Sequence, residues 1–362
     1  MQPYSFQNGP ISYCGKVLSP PWVVKGYERA ASWLGLAPAS YRDVSIAVSA
    51  LWTSGRSVQI TYDGVLLDAW LILKCNSNGM DANMQSLLEK GGHQFVRRRR
   101  LSSMNRPANA SLPAARRRVS FAFVRDPMDH FVSGYTESIV YRLDGVEKGD
   151  ERWPVVHRMF EELCASGTAS YACMTDPIDR AAAFLRDFVQ TRTNRVRLPF
   201  QTTHANSQAS FLCMQLPNGK YVSGTDYVMY LNEMEYGWQA LGRAEGLRNW
   251  PSYDSSLFIT WRRGDLYHGS RPHNLSNSLN NNSHRTAMNA VLREETNCRA
   301  LCSVLLVDYV CFRFPLPWCC AAIAQPSVQC PLRIGRFLTM GDQPPVEVTD
   351  PVSVQGRLFD DG

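Results

Sequence analysis

The chain has 362 residues, 44% of them hydrophobic and 19% charged. That excludes a disordered chain and supplies apolar material for a large core. The length admits two domains or one elaborated domain. The net charge of +6 permits an anionic ligand and falls well short of a histone-like balance.

Residues 1–60 carry weak signals and read as an N-terminal extension of uncertain structure, with Val44 to Leu51 as a short strand or buried segment. Met1 to Pro21 is polar and broken by Pro and Gly, so no signal peptide is expected there. No run reaches the roughly 18 apolar residues of a membrane span. Val65 to Leu73 is nearly continuously apolar, which suits a strand buried on both faces of a parallel sheet. It ends at Lys74. A polar loop, Cys75 to Asp81, leads to a helix over Ala82 to Lys90, stopped by Gly91-Gly92. His93 opens a short strand, His93-Gln94-Phe95-Val96.

Two arginine runs, Arg97 to Arg100 and Arg116 to Arg118, flank a Ser/Asn/Pro/Ala stretch that reads as exposed loop. Val119 to Val124 is the second clear strand and runs into Arg125-Asp126-Pro127. Asp126 is a good N-cap and Pro127 a good first helical residue. The next helix places Met128, Phe131, Val132, Tyr135 and Ile139 on a buried face. Asp129, His130, Ser133 and Glu137 fall on the other.

Residues 151–195 look mostly helical, most clearly Ala181 to Val189, and Leu198 to Leu212 reads as a loop carrying His204 and Gln208. Tyr227 to Leu231 is a further strand, followed by a helix around Trp238. Residues 250–285 read as a surface insertion. An amphipathic helix over about 285–304 leads into a tail rich in Cys, Pro and aromatics. Successive strand–turn–helix units argue for an α/β fold. The expected architecture is a three-layer sandwich with a central, mainly parallel sheet and P-loop-like phosphate-binding turns. It forms a single domain over 61–318 with a Cys-rich C-terminal lobe and a 319–362 tail.

No pair among the eleven cysteines has zinc-finger spacing, and no metal constellation is visible. Six of them, from Cys298 to Cys330, cluster late in the chain. They are either buried reduced thiols or staples of a C-terminal lobe in an oxidising compartment. An odd total leaves at least one unpaired within the chain. Sequons at Asn109, Asn274 and Asn281 lie in polar stretches that would tolerate a glycan.

Ligands of parallel sheets bind outside the carboxyl ends of the strands, where helix N-termini favour phosphate. Lys74 sits at one such end and Arg125 at another. Lysine offers a mobile point charge and arginine a fixed fork. Two cationic turns imply a ligand with two separate anionic groups. Neither GxxxxGK[ST] nor a strand-borne GxGxxG occurs, which argues against ATP or NAD in their usual cradles.

Phe123-Val124-Arg125-Asp126-Pro127-Met128-Asp129-His130-Phe131-Val132-Ser133-Gly134-Tyr135 resembles the FVRDPxxRxVSxY signature of the membrane-type (Golgi) carbohydrate sulfotransferases. The resemblance implies that Arg125 and Ser133 bind the 3′-phosphate of 3′-phosphoadenosine 5′-phosphosulfate. The segment Leu71 to Leu88 resembles the family's 5′-phosphosulfate loop, with Lys74 as its lysine. That loop is longer than KxGxTS and lacks its Thr-Ser, which leaves Asn76, Ser77, Asn78 and Asn83 to supply the donors. His204 to Gln208 is similar to an HWxPQ-type stretch, with Ala205 in place of tryptophan. Asp226 to Glu233 resembles a strand ending in Glu, and Leu305 to Phe312 a C-terminal stretch centred on Asp308. His130 stands where the signature has arginine. The resemblance spans about residues 65–315 and implies a luminal Golgi enzyme, bound to a membrane only through an anchor that this sequence does not show.

Sulfuryl transfer needs a base for the acceptor hydroxyl, in-line geometry and stabilisation of the leaving phosphate. Lys74 suits the last task and His93 or His204 the first. Glu233 reads as a strand-end anchor. The implied acceptor is a carbohydrate, anionic if the arginine runs face it, and nucleic acid is not expected. Two other readings remain: a non-catalytic glycan-binding relative of the same fold, and a polyanion- or nucleic-acid-binding protein working through the arginine runs.

Overall fold

The computed structural model describes residues 21–37, 57–72, 75, 77–89, 94–98, 117–139, 158, 161–167, 169–193, 205–215, 221–254, 276–321, 323 and 328–341. The elements are α1 (Pro21–Trp33), β1 (Ser57–Tyr62), β2 (Val65–Trp70), α2 (Ser77–Glu89), β3 (Gln94–Arg98), β4 (Arg117–Val124), α3 (Pro127–Ile139) and α4 (Pro177–Thr193). They continue with β5 (Cys213–Gln215), β6 (Tyr221–Ser223), β7 (Thr225–Tyr230), α5 (Met234–Glu245), α6 (Ser276–Leu292), α7 (Glu295–Phe312) and β8 (Ile334–Leu338).

Six strands form one sheet in the order β3-β1-β2-β4-β7-β8, and β5 and β6 form a separate pair. β2, β4, β7 and β8 run parallel, while β1 is antiparallel to both β2 and β3. This is the mainly parallel α/β sheet expected. The β1–β2 hairpin turns on Asp63 and Gly64, with φ of 47° and 78°. Two successive left-handed residues match the right-handed twist of the strands they join. β1 and β8 were not expected from sequence. β1 alternates polar and apolar residues, and β8 is a short edge strand, Ile-Gly-Arg-Phe-Leu.

Helices cover both faces of the sheet. On one, Trp238 of α5 meets Phe121 edge-on with ring centroids 6.2 Å apart, and Tyr253 meets Phe123 at 5.9 Å. Trp250 closes the gap between Trp238 and Tyr62. On the other, the Tyr230 hydroxyl of β7 donates to the Phe312 carbonyl of α7 at 2.8 Å. Phe131, Tyr135, Phe184 and Phe188 pack α3 on α4. Helix α1 lies on α7. Gly26 permits this close approach, because a β-carbon there would stand 2.4 Å from the Ser303 carbonyl oxygen.

Several local expectations change. Helix α2 begins at Ser77, not Ala82, so Ser77 and Asn78 form its first turn instead of a polar loop. The helix expected over 285–304 is two helices. Glu294 is extended, with φ −71° and ψ 124°, and separates α6 from α7. His130, placed on the open face of α3 by sequence, is fully buried. Helix α3 packs against α4, α6 and α7, so more than one of its faces is covered. Arg117 and Arg118 begin strand β4 instead of standing in an exposed loop. Val44 to Leu51, Asn109 and Asn274 lie outside the described residues.

The cysteines settle between the two readings. Cys298–Cys319, Cys302–Cys320 and Cys311–Cys330 are disulfides with Cα separations of 5.9, 5.8 and 4.7 Å. They staple the segment after α7 onto that helix. A fourth bridge joins Cys164 to Cys173. Cys75 is free and buried.

Candidate functional site

β2 and β4 are parallel neighbours in the middle of the sheet, so the turns that follow them open side by side at the carboxyl end of the strands. Strand β4 ends at Val124 and the chain turns at Arg125 into α3. The turn is closed by its own sequence. Asp126 accepts the Asp129 N–H at 3.0 Å, the N-cap bond expected of it. Burial pushes the Asp126 carboxyl up to about 6, although that bond and the Arg125 charge work against the rise.

Gln208 holds the turn from outside. Its Oε1 accepts the Arg125 N–H at 2.9 Å, and its Nε2 donates to the Arg125 carbonyl at 2.7 Å. The same Oε1 accepts the Cys75 thiol at 3.0 Å. One fully buried side-chain amide therefore satisfies both backbone groups of Arg125 and reaches the turn after β2. Burial also pushes the Cys75 thiol up.

Asp308 of α7 fixes Gln208. Its carboxylate accepts the Gln208 and Ala209 N–H groups at 2.8 Å each and the Ser207 hydroxyl at 2.5 Å. Burial pushes Asp308 up to about 6 even against these three bonds. Asp308, Gln208 and Arg125 form a chain of contacts from the last third of α7 to the end of β4.

The Arg125 guanidinium pairs with Asp129, one helical turn on. Arg285 of α6 pairs with the other oxygen of the same carboxylate. Burial alone would raise Asp129, but the two guanidinium groups hold it below the usual carboxylate range. Ser133 lies a further turn along α3 and is half-buried. The four-residue spacing puts Asp129 and Ser133 on one face of the helix.

Lys74, Asn76, His93 and His204 lie outside the described residues. Ser77 and Asn78 occupy the first turn of α2, where backbone N–H groups lack helical partners. Asn83 is buried, and its amide bonds the Asp254 backbone in both directions, at 2.9 and 2.8 Å. Arg125 thus stands just before α3 and Ser133 two turns along that helix, Cys75 reaches Arg125 through Gln208, and the Asn83 amide is committed to Asp254. Glu233 accepts the Met340 N–H at 2.9 Å and anchors the end of β8. Arg118 is spent on the fully buried Asp68, and Arg117 on Glu245. That removes two cations from the polyanion reading.

Sequence reasoning assigned no role to Gln208, Asp308 or Arg285. Asp308 did carry a signal, as a lone carboxylate inside the apolar run Val304 to Val310. Arg285 carried none. Among the described residues no cluster of His, Cys, Asp and Glu could hold a metal ion. No helix among them is long and apolar enough to cross a membrane.

No curated protein matches the chain. No solved structure matches it either. A family profile does: the one described as the sulfotransferase family matches residues 71–315, more than half of the chain. The match starts at the end of β2 and stops just past α7, so it encloses both turns, Gln208 and Asp308. With its extent and the site on the same elements, the chain belongs to the sulfotransferase family, transferases that move a sulfuryl group.

Proposed function

We propose that the protein transfers the sulfuryl group of 3′-phosphoadenosine 5′-phosphosulfate to a hydroxyl of a carbohydrate acceptor. The observation that carries this is the Gln208 bridge. A single amide contacts the turns after β2 and β4, and so sets two neighbouring anion-binding turns at a fixed separation. A ligand with phosphates at both ends of a nucleoside fits that arrangement. Arg125 and Ser133 take the 3′-phosphate, with the arginine fork suited to two phosphate oxygens.

The 5′ end goes to the β2–α2 turn at a helix N-terminus, with Lys74, Asn76, Ser77 and Asn78 as its donors. Lys74 steadies the leaving phosphate oxygen as charge grows on it. His93 or His204 takes the proton of the acceptor hydroxyl. The variant that loses turnover but keeps donor affinity identifies which. The four disulfides among the described residues favour an oxidising secretory compartment, in line with a Golgi lumen. The mild excess of positive charge suits an acceptor that already bears carboxylates or sulfates.

The test is thermal unfolding with adenosine 3′,5′-bisphosphate, with adenosine 5′-monophosphate and ATP as controls. At about 100 times its Kd a ligand adds about 2.7 kcal/mol of stability, a clear rise in midpoint. A rise with the bisphosphate alone supports the two-phosphate site. No rise in a folded sample removes the donor assignment and leaves a glycan-binding relative without catalysis.

A further inference from the structure

The turn that carries Arg125 has an electrostatic difficulty. It holds two carboxylates, Asp126 and Asp129, next to one guanidinium, and Asp129 is directly paired with that guanidinium. A cation already neutralised by its own helix is a poor trap for phosphate. The residue at the arginine position of the signature does not help, since it is His130 and is buried. The missing charge comes from elsewhere. Arg285, on a different helix and 156 residues along the chain from Asp129, takes the second oxygen of that carboxylate.

We infer that Arg285 is a positioning and charge-setting residue for phosphate recognition by Arg125. It has two effects. Because it shares Asp129, the carboxylate no longer belongs to Arg125 alone, and the fork is held at an angle fixed from both sides. It also restores the cation count of the turn, so that two guanidinium groups face two carboxylates. Without it an arriving anion meets a net negative surface. The three side chains are reachable from solvent, with relative exposures of 19% for Arg125, 34% for Asp129 and 39% for Arg285.

A purely structural tie between α3 and α6 is the competing account. Packing already supplies that tie. His284, adjacent to Arg285, is buried and meets the Tyr135 ring edge-on at 6.5 Å, and Ala287, Met288 and Val291 are buried on the same helix. The ion pair is therefore surplus to holding α6 in place, and replacing Arg285 leaves the fold standing.

The inference rests on the reading of Arg125 as the 3′-phosphate ligand, and the test separates the two. Affinities of the wild-type chain, Arg285→Gln and Arg285→Lys are measured by calorimetry for adenosine 3′,5′-bisphosphate and adenosine 5′-monophosphate, with unfolding midpoints taken without ligand. The expected result is that Arg285→Gln weakens the bisphosphate by about tenfold, the weight of one charge-assisted contact. The monophosphate, which lacks the 3′ group, is unaffected. Arg285→Lys, which keeps the charge, recovers most of the loss. Unchanged bisphosphate affinity in Arg285→Gln, alongside a wild type that prefers the bisphosphate, overturns this inference alone. Equal weakening of both ligands with a lowered midpoint overturns it in favour of a structural tie. A wild type that binds both ligands equally overturns the 3′-phosphate reading, and this inference with it.

Discussion

Arg125 owes its position to residues far from it in sequence. Its N–H and carbonyl are both spoken for by Gln208, and Gln208 is held by Asp308, so the fork at the strand end stands on a buried relay. Preorganisation of this kind matters because a misplacement of about 1 Å in a positioned group costs about a hundredfold in rate. Gln208→Ala leaves two buried backbone groups unpaired and uncouples Cys75. Sulfuryl transfer in that variant should fall by up to about a hundredfold. Steady-state kinetics with a glycan acceptor, once one is found, would read it. A rate equal to wild type would mean the turn keeps its shape without the bridge. The sequence marks Gln208 and Asp308 as motif positions but not the relay between them, because the bonds that join them to each other and to Arg125 are tertiary.

At the scale of elements, legibility follows from how many of an element's buried faces are apolar. β2 and β4 are buried on both sides and showed as nearly continuous apolar runs. β1 buries valine, isoleucine and tyrosine on one side and serine, glutamine and threonine on the other, so its apolar signal was diluted by half. Its turn, Asp63-Gly64, is a strong short hairpin signal and is the clearest mark of β1 in the sequence. β8 is held differently. It follows a segment that three disulfides fasten to α7, the last through Cys330, four residues before the strand. Removing the Cys311–Cys330 bridge by a double Cys→Ala change should cost about 3 kcal/mol on the loop-entropy account. The loss should appear first as faster amide exchange in Ile334 to Leu338. Unaltered exchange there would show that pairing with β7 suffices.

For the molecule as a whole, the same relay makes stability depend on pH. Asp308 ionises near 6 in the folded state against an ordinary value near 3.8, because burial disfavours its charge. The folded state therefore holds this proton more tightly than the unfolded chain does. The stabilisation is complete at low pH and is lost as pH rises from about 4 through about 6, levelling off above. Asp126 acts in the same direction. Asp308→Asn cannot titrate, so the stability of wild type relative to this variant should decline across that window. Denaturant unfolding at several pH values measures it. A difference that stays constant with pH would show that Asp308 is already ionised throughout the window. The variant should be the less stable at every pH, since an amide nitrogen cannot accept the Gln208 N–H.

The vicinal pair Cys319-Cys320 has one more consequence. Its two partners, Cys298 and Cys302, are one helical turn apart on α7. Crossed and uncrossed connections are isomers of identical mass, interconverted when an external thiolate opens one bridge, the freed cysteine attacks the other, and the last freed thiolate expels the external thiol. A tryptic cut after Arg299 separates the two helical cysteines, but no cut is possible between adjacent residues 319 and 320. A preparation uniform by mass can thus be mixed in connectivity at this one helical turn.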